Sequence, residues 1–264
     1  MKKTIKRIAP VALVLIALTT LSFMAKEGVT LRLKPQQGKT YTLTSKANMM
    51  MNMEVQGQMM NQTQSMETRQ TFSAKSVTDK EVQLETQVDA MKMTISQMGM
   101  KLEYDSEHPE KTSPMLAGQT REMEAALHKP TTITYDALGK LVGDSIDLEM
   151  NQLGSAIIEL PEQELSVGSK WTSEKKQNMS SVGEFKVNME YTVTAISKKS
   201  VDVSFTGDIN STEVTGTYSG TASISVQTGL TTNSATKSNI AMTINQQGLS
   251  IPVTMVGNTT MELK

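Results

Sequence analysis

The chain has no cysteine among its 264 residues. That absence excludes disulfide bonds, catalysis by a thiol and a lipid anchor on an N-terminal cysteine. Aromatic residues are also scarce, with one Trp, five Tyr and four Phe. Methionine is abundant instead, at 21 residues, so we expect a core built mainly from Met, Val, Ile and Leu.

Residues 1–25 have the layout of a secretory signal peptide. A basic stretch from Lys2 to Arg7 precedes the mostly apolar residues 8–23, which is typical of export signals. An uncleaved anchor is the alternative, although the apolar run is shorter than the roughly 20 residues of a spanning helix. We therefore expect an exported protein, periplasmic or extracellular, without a lipid anchor.

Charge and motifs exclude several function classes. Four of the 26 Lys and Arg residues and none of the 27 Asp and Glu lie in that leader, so the remainder carries about −5. A mildly acidic chain does not favour nucleic acid as a partner. There is no nucleophile elbow, phosphate loop or HExxH motif, and His108 and His128 lack the spacing of a zinc site. We predict no enzyme activity, no metal and no cofactor.

Apolar and polar residues alternate through most of the chain. From Tyr41 to Val55, seven of the eight odd-numbered residues are apolar and only one of the seven even-numbered residues is. This predicts a strand with one dry face, long enough that we expect a bend or break. Similar runs flank turns at 78–80, 197–200 and 246–248, which indicates antiparallel hairpins. Pro252 cannot donate a ladder hydrogen bond, so the last hairpin is expected at a sheet edge.

The strands fall into two blocks that resemble each other. Gly38 to Tyr41 and Gly168 to Trp171 share a Gly-x-x-aromatic opening, which favours duplication over chance similarity. We predict a mainly β fold of two duplicated antiparallel sheets, half-barrel-like, with one or two short helices. The blocks are 27–143 and 160–264, with a helix near 113–128 starting at Ser113-Pro114 and a connecting helix at 144–159. Two arrangements are compatible with this prediction: the sheets form separate domains, or they curl around one shared core.

Two resemblances bear on this architecture. With Leu160-Pro161, then Val167-Gly168 and Trp171, the chain resembles a group of exported bacterial proteins classed as a domain of unknown function. That group has no established catalytic residues, so the resemblance implies none. Duplicated antiparallel sheets around helices are also similar to the half-barrel carriers that move lipids or lipoproteins across a Gram-negative envelope, which implies a carrier role by analogy of fold.

The methionines have three interpretations. Thioethers are soft ligands for Cu(I) or Ag(I), but no His or Cys lies nearby. A Met-rich strand face is also an ordinary core, or a wall that repacks around varied apolar ligands. Met50, Met59, Met60 and Met98 break the alternation or lie near turns, where a rim or an exposed patch is expected.

We predict an exported envelope protein that binds an apolar or amphipathic ligand, such as a lipid, without catalysis in a Met-lined cavity of the sheet. The predicted lining residues are Leu43, Met49, Met51, Met53, Val55, Met91 and Met93, with Met115 and Met123 as a lid from the helix. The alternative is a structural or interaction protein with no small-molecule ligand, whose partner is another envelope protein.

Overall fold

The described part of the chain folds as one antiparallel sheet of eleven strands. The computed structural model describes residues 28–55, 57–143, 156–179, 183–246 and 249–264. The predicted signal peptide and residues 144–155 of the predicted connecting helix lie outside these residues. The strands are β1 (Thr40–Val55), β2 (Gln58–Val77), β3 (Glu81–Gln97), β4 (Met100–Asp105), β5 (Thr131–Asp136), β6 (Lys170–Met179), β7 (Gly183–Ile196), β8 (Ser200–Asn210), β9 (Val214–Ser225), β10 (Thr231–Gln246) and β11 (Leu249–Leu263).

The two blocks of strands are the two halves of this sheet. The strand order is β4-β3-β2-β1-β11-β10-β9-β8-β7-β6, and β5 pairs with β3. The last strand returns to the first, with Leu43 opposite Leu263 and Met53 opposite Val253. In the described part of the chain β4 and β6 do not pair with each other, so the sheet is open. The prediction of a mainly β, antiparallel fold with very few helices is confirmed, and one sheet takes the place of the expected two.

β1 is continuous in its pairing. It runs for 16 residues without a register shift against β2 or β11, so the expected break is wrong. Its neighbours are long enough to pair along nearly all of it. The register shifts lie one strand away, between β2 and β3 at Arg69 to Gln70 and at Ala74 to Ser76.

The expectation that Pro252 marks a sheet edge is also wrong. β11 lies between β10 and β1. Its pairing with β1 covers Val253 to Leu263, whereas Pro252 is paired only with Thr243 of β10. The proline therefore lies just beyond the segment that needs donors on both sides.

One α-helix, α1 (Ala117–Ala126), lies in the described residues, within the interval where the sequence places a helix. Pro114 opens a 3-10 turn, Pro114–Leu116, that precedes it. Ser113 does not cap α1. Its Oγ accepts a hydrogen bond of 2.9 Å from the Glu103 backbone N–H, which ties the start of the helical segment to β4.

The sheet has a proximal and a distal end, and we call the face that carries the buried side chains the inner face. The connections β2–β3, β7–β8 and β9–β10 lie at the proximal end, and the other five hairpin connections lie at the distal end. At the proximal end, residues 29–36 and 156–165 cover the inner face. Leu33 and Ile157 pack into one core cluster, and Leu31 and Leu160 pack into a second.

Each half of the sheet begins with a stacked aromatic pair. Tyr41 of β1 lies 5.2 Å from Phe72 of β2 between ring centroids, and Trp171 of β6 lies 4.9 Å from Tyr191 of β7. The glycine three residues before each opening aromatic has a positive φ, 76° in one half and 90° in the other. Both openings thus combine a positive-φ glycine with a stacked aromatic ring, and the duplication stays a prediction.

Two buried tyrosines make stability dependent on pH in the alkaline range. Burial raises the pKa of Tyr135 and of Tyr191 to about 12, against about 10 in an unfolded chain. The folded state therefore keeps these protons longer than the unfolded state does. Their stabilising contribution is complete below about pH 10 and is lost as the pH rises to about 12.

Between about pH 9 and about pH 12 the free energy of unfolding should fall less in Tyr135→Phe than in wild type. The difference should be about 2–3 kcal/mol, because phenylalanine has no phenol proton to lose. Urea unfolding of both proteins at the two pH values measures this difference. Other titrating groups are common to both proteins and cancel in the comparison. An equal loss in the two proteins would show that Tyr135 is not protected by burial.

Candidate ligand-binding surface

The distal half of the inner face carries an apolar cluster that we call the distal patch. Its buried members are Phe185, Val187, Ile209, Val214, Met242 and Val253, and its half-buried members are Met51, Met53, Met189, Tyr218, Ile240, Ile244, Ile251 and Met255. All of them are strand residues. The proximal clusters, by contrast, include residues of the covering segments. Within the described residues, the distal patch is therefore formed by strand side chains alone, six of them buried and eight half-buried.

The pairing register brings methionines of different strands together on this patch. Met51 of β1 lies directly opposite Met255 of β11. Met53 lies opposite Met60 of β2. Directly opposed side chains on one face have Cβ atoms about 4.5–5.5 Å apart. The distal patch is therefore partly a surface of neighbouring thioethers, which are flexible and polarizable.

The predicted lining residues on β1 are distributed along the whole strand. Leu43 is fully buried in the proximal core, and Met49 is half-buried at mid-strand. Met51 and Met53 belong to the distal patch. The backbone of Val55 ends β1, and its side chain lies outside the description. Of the predicted β1 lining, Met49, Met51 and Met53 are thus partly exposed, whereas Leu43 is not.

The other predicted residues lie in a separate cluster beside α1. Met91 and Met93 are buried there with Tyr104, and Met123 of the helix packs against them. Met115, the second predicted lid residue, is 68% exposed. The helix therefore covers the methionines of β3, and the structure does not bring it over those of β1.

The predicted rim methionines are mostly at the surface. Met50, Met59 and Met98 are 52%, 66% and 78% exposed, respectively, whereas Met60 is half-buried. Met98 lies in the β3–β4 turn with a φ of 50°. These side chains form exposed apolar area towards the distal end of the sheet.

Sequence reasoning did not single out a polar pair beside the distal patch. Lys175 lies on the inner face of β6, and its Nζ donates to the backbone oxygen of Ile157 at 3.3 Å. Burial lowers the pKa of Lys175, and Glu159 opposes that shift. Burial also raises the pKa of Glu159. The signal was available, because alternation from Trp171 places Lys175 two strand positions beyond Ser173 on the same face.

Two cavities lie outside the predicted lining. One of about 850 Å³ is bordered by Lys140, Glu159, Thr172, Ser173, Glu174, Asn188, Met189, Glu190, Thr206, Gly207 and Asp208. A second, of about 600 Å³, includes Thr44, Lys46, Asp202, Ser223, Asn233 and Glu262 among its lining residues. Both have a mixed lining, and the first adjoins the distal patch at Met189.

Across the described ranges, no three His, Cys, Asp or Glu side chains are grouped to hold a metal ion. His108 Nδ1 lies 3.4 Å from Glu110 Oε1 in an exposed loop. No helix of the described chain combines the length and the hydropathy needed to cross a bilayer.

No protein-family model matches this chain, and no curated protein matches it. Its fold is similar to a structure described as lipid–protein interactions in lipovitellin, with a TM-score of 0.53 and 11% identity, covering 87% of this chain and 25% of that one. At this identity the likeness shows the fold alone, and the chain spans about a quarter of that protein's length.

Two further solved structures match at lower similarity. DynF, from the dynemicin biosynthesis pathway of Micromonospora chersina, has a TM-score of 0.27 and 9% identity, covering 88% of this chain and 83% of DynF. The translocator domain of the autotransporter NalP from Neisseria meningitidis has a TM-score of 0.24 and 6% identity, covering 86% of this chain and 90% of that domain. Neither score is high enough to support an argument about this protein.

Proposed function

We propose that this chain is an exported envelope protein that binds an apolar or amphipathic ligand, such as a lipid, on the inner face of its sheet without catalysing a reaction. The observation that carries the proposal is the distal patch. Its half-buried members, such as Met51, Met53 and Met255, keep part of their apolar surface in contact with water, and contiguous exposed apolar area of this kind marks binding sites. A ligand that lies on the patch removes this area from water.

The composition of the patch favours a ligand of variable shape. Met51, Met53 and Met255 have unbranched side chains that adjust to irregular surfaces. The patch has two aromatic members, Phe185 in β7 and Tyr218 in β9. A flexible acyl chain fits such a surface better than a rigid ring system does.

A polar group at the border of the patch favours an amphipathic ligand over a purely apolar one. Lys175 lies directly opposite Val187 in the pairing of β6 with β7, and Val187 belongs to the patch. An acidic or hydrogen-bonding headgroup at this border would meet an ammonium in surroundings of reduced polarity, where such interactions are stronger than in water.

The likeness to lipovitellin supports the same proposal. The matching structure is described by its lipid–protein interactions, and the shared feature is the sheet on which the distal patch lies. The likeness does not identify a ligand for this chain.

The exposed methionines favour one alternative, an interaction protein of the envelope. Met50, Met59 and Met98 offer apolar side chains that a protein partner would cover. In that case the distal patch is part of an interface and holds no small molecule.

Native mass spectrometry of the protein purified gently from its own cells tests the proposal. A mass excess that disappears on denaturation, of the size of a lipid, is the expected result. A bare polypeptide mass, together with failure to take up a fluorescent fatty acid in solution, contradicts ligand binding and favours the interaction protein. The same spectrum shows whether residues 1–25 are removed.

The double variant Met51→Glu, Met255→Glu is expected to abolish uptake of the fluorescent fatty acid, because two charges would face the ligand in the patch. The matched control Met51→Leu, Met255→Leu conserves volume and apolar character and should bind nearly as wild type. Fluorescence titration measures both. If the leucine variant loses affinity for Ag(I) while the fatty acid binds to none of the proteins, soft-metal binding by thioethers replaces the proposal.

A further inference from the structure

Two central hairpins, β1–β2 and β10–β11, extend past their outer neighbours β3 and β9 at the distal end of the sheet. The β6–β7 hairpin, which carries Lys186, extends past β8 in the same way at one edge of the sheet. The pairing of β3 with β2 stops at Gln62. The pairing of β9 with β10 stops at Met242, and one further hydrogen bond of 3.1 Å runs from the Thr243 backbone N–H to the backbone oxygen of Glu213. Beyond these points β1–β2 and β10–β11 continue for about four residues each, or about 13 Å at the rise of a strand. We call these ends the prow, formed by residues 52–55, 58–61, 243–246 and 249–252.

The prow is nearly free of charge. Residues 238–261 contain no Asp, Glu, Lys or Arg, and Glu54 is the only such residue within 47–66. Amide, hydroxyl and apolar side chains make up the rest, and Met59 is 66% exposed. The charged residues of β1 and β2 otherwise lie further from the distal end, as in the ion pair between Lys46 Nζ and Glu67 Oε2 at 3.2 Å.

We propose that the prow is a membrane-contact edge. It enters the headgroup region of a zwitterionic lipid surface, which carries no net charge. Moving a charged side chain out of water is costly, and the prow has one such group to desolvate. Its described residues include no cation, so anionic lipid offers it no attraction. Exposed apolar and amide groups instead match an interface where acyl carbon and hydrogen-bonding headgroups meet.

The prow is continuous with the distal patch, because Met53, Ile244 and Ile251 belong to both. A lipid moving between a bilayer and the patch therefore has an apolar path along the inner face. This inference deepens the proposed function and rests on it for the nature of the cargo. Membrane contact and ligand uptake are nevertheless separate measurements.

Flotation of the purified protein with phosphatidylcholine vesicles tests the prow. Wild type is expected to bind, and added salt should not weaken binding, since no ion pairing is involved. Met59→Glu should reduce the bound fraction about tenfold or more, because it puts a second charge at the contact. Met115→Glu is the matched control: Met115 is 68% exposed but lies outside the prow, so this variant should bind as wild type.

Three results would overturn the inference: wild type that does not float, Met59→Glu that floats like wild type, and an equal loss in Met115→Glu. Light scattering identifies one competing occupant, a second copy of the chain, if wild type is dimeric, Met59→Glu is monomeric and neither floats. Uptake of a fluorescent fatty acid without vesicles reports the distal patch alone. Normal fatty-acid uptake without flotation contradicts membrane contact by the prow. Flotation without uptake contradicts the proposed function.

Discussion

Replacing Trp171 with alanine is expected to lower the free energy of unfolding by about 3–5 kcal/mol. The indole is buried and stacks on Tyr191, which in turn lies 5.9 Å from Phe205 between ring centroids. Its Nε1–H donates to the backbone oxygen of Glu159 at 2.9 Å. Truncation therefore leaves a cavity in an aromatic row and an unpaired backbone acceptor. Urea unfolding followed by circular dichroism measures the effect, since Trp171 is the only tryptophan.

Trp171→Phe separates the two contributions. A phenyl ring keeps most of the stack on Tyr191 but cannot donate to Glu159. We expect it to cost less than alanine, with about 1 kcal/mol due to the lost hydrogen bond. A value for Trp171→Ala below about 1 kcal/mol would show that this aromatic row is not part of the core.

Gly229→Ala is expected to destabilise the protein by about 3 kcal/mol or more, since two independent penalties add. Gly229 has a φ of 68°, in the left-handed region that side chains disfavour. A Cβ there would also collide with the backbone oxygen of Arg32 and lie 2.9 Å from the Cα of Leu33. Both contacts are with backbone of the segment that covers the proximal core, so no side chain can move aside.

Gly118→Ala is the matched control for this substitution. Gly118 lies in α1, and a Cβ built on it meets nothing within 4 Å. Alanine in a helix is favoured over glycine by about 0.5–1 kcal/mol, so this variant should be slightly more stable than wild type. Thermal unfolding of the two variants should shift in opposite directions. Two shifts of the same sign would contradict the packing of the covering segment on Gly229.

The alternation in β1 was sufficient to predict its dry face. Tyr41, Leu43 and Ala47 are buried, because side-chain direction in a strand depends only on position along the chain. The partner of a strand is a different matter. β11 pairs with β10 of its own block and also with β1 of the other block. The second pairing depends on contacts between residues far apart in sequence. Alternation looks the same whichever neighbour is present.

The candidate surface was predictable to a similar extent. The sequence predicts Met51 and Met53 on one face of β1. In the structure Met255 joins them on that face through the β1–β11 register. The predicted grouping with Met91 and Met93 depended on where α1 packs, and the helix lies over β3. Lys175 lies outside the predicted set, which contains only Leu, Val and Met side chains, because a lysine on a strand face gives no apolar signal. The ligand role of all these residues stays a prediction.

The pairing of β1 with β11 has a consequence for how the polypeptide reaches its native state. β1 cannot acquire its second neighbour until nearly the whole chain has been synthesised. Until then one long edge of β1 is an unsatisfied template for any other extended chain. Contacts this distant in sequence slow folding and prolong exposure to aggregation. A chaperone that holds the first half open until the last strand arrives would protect this edge.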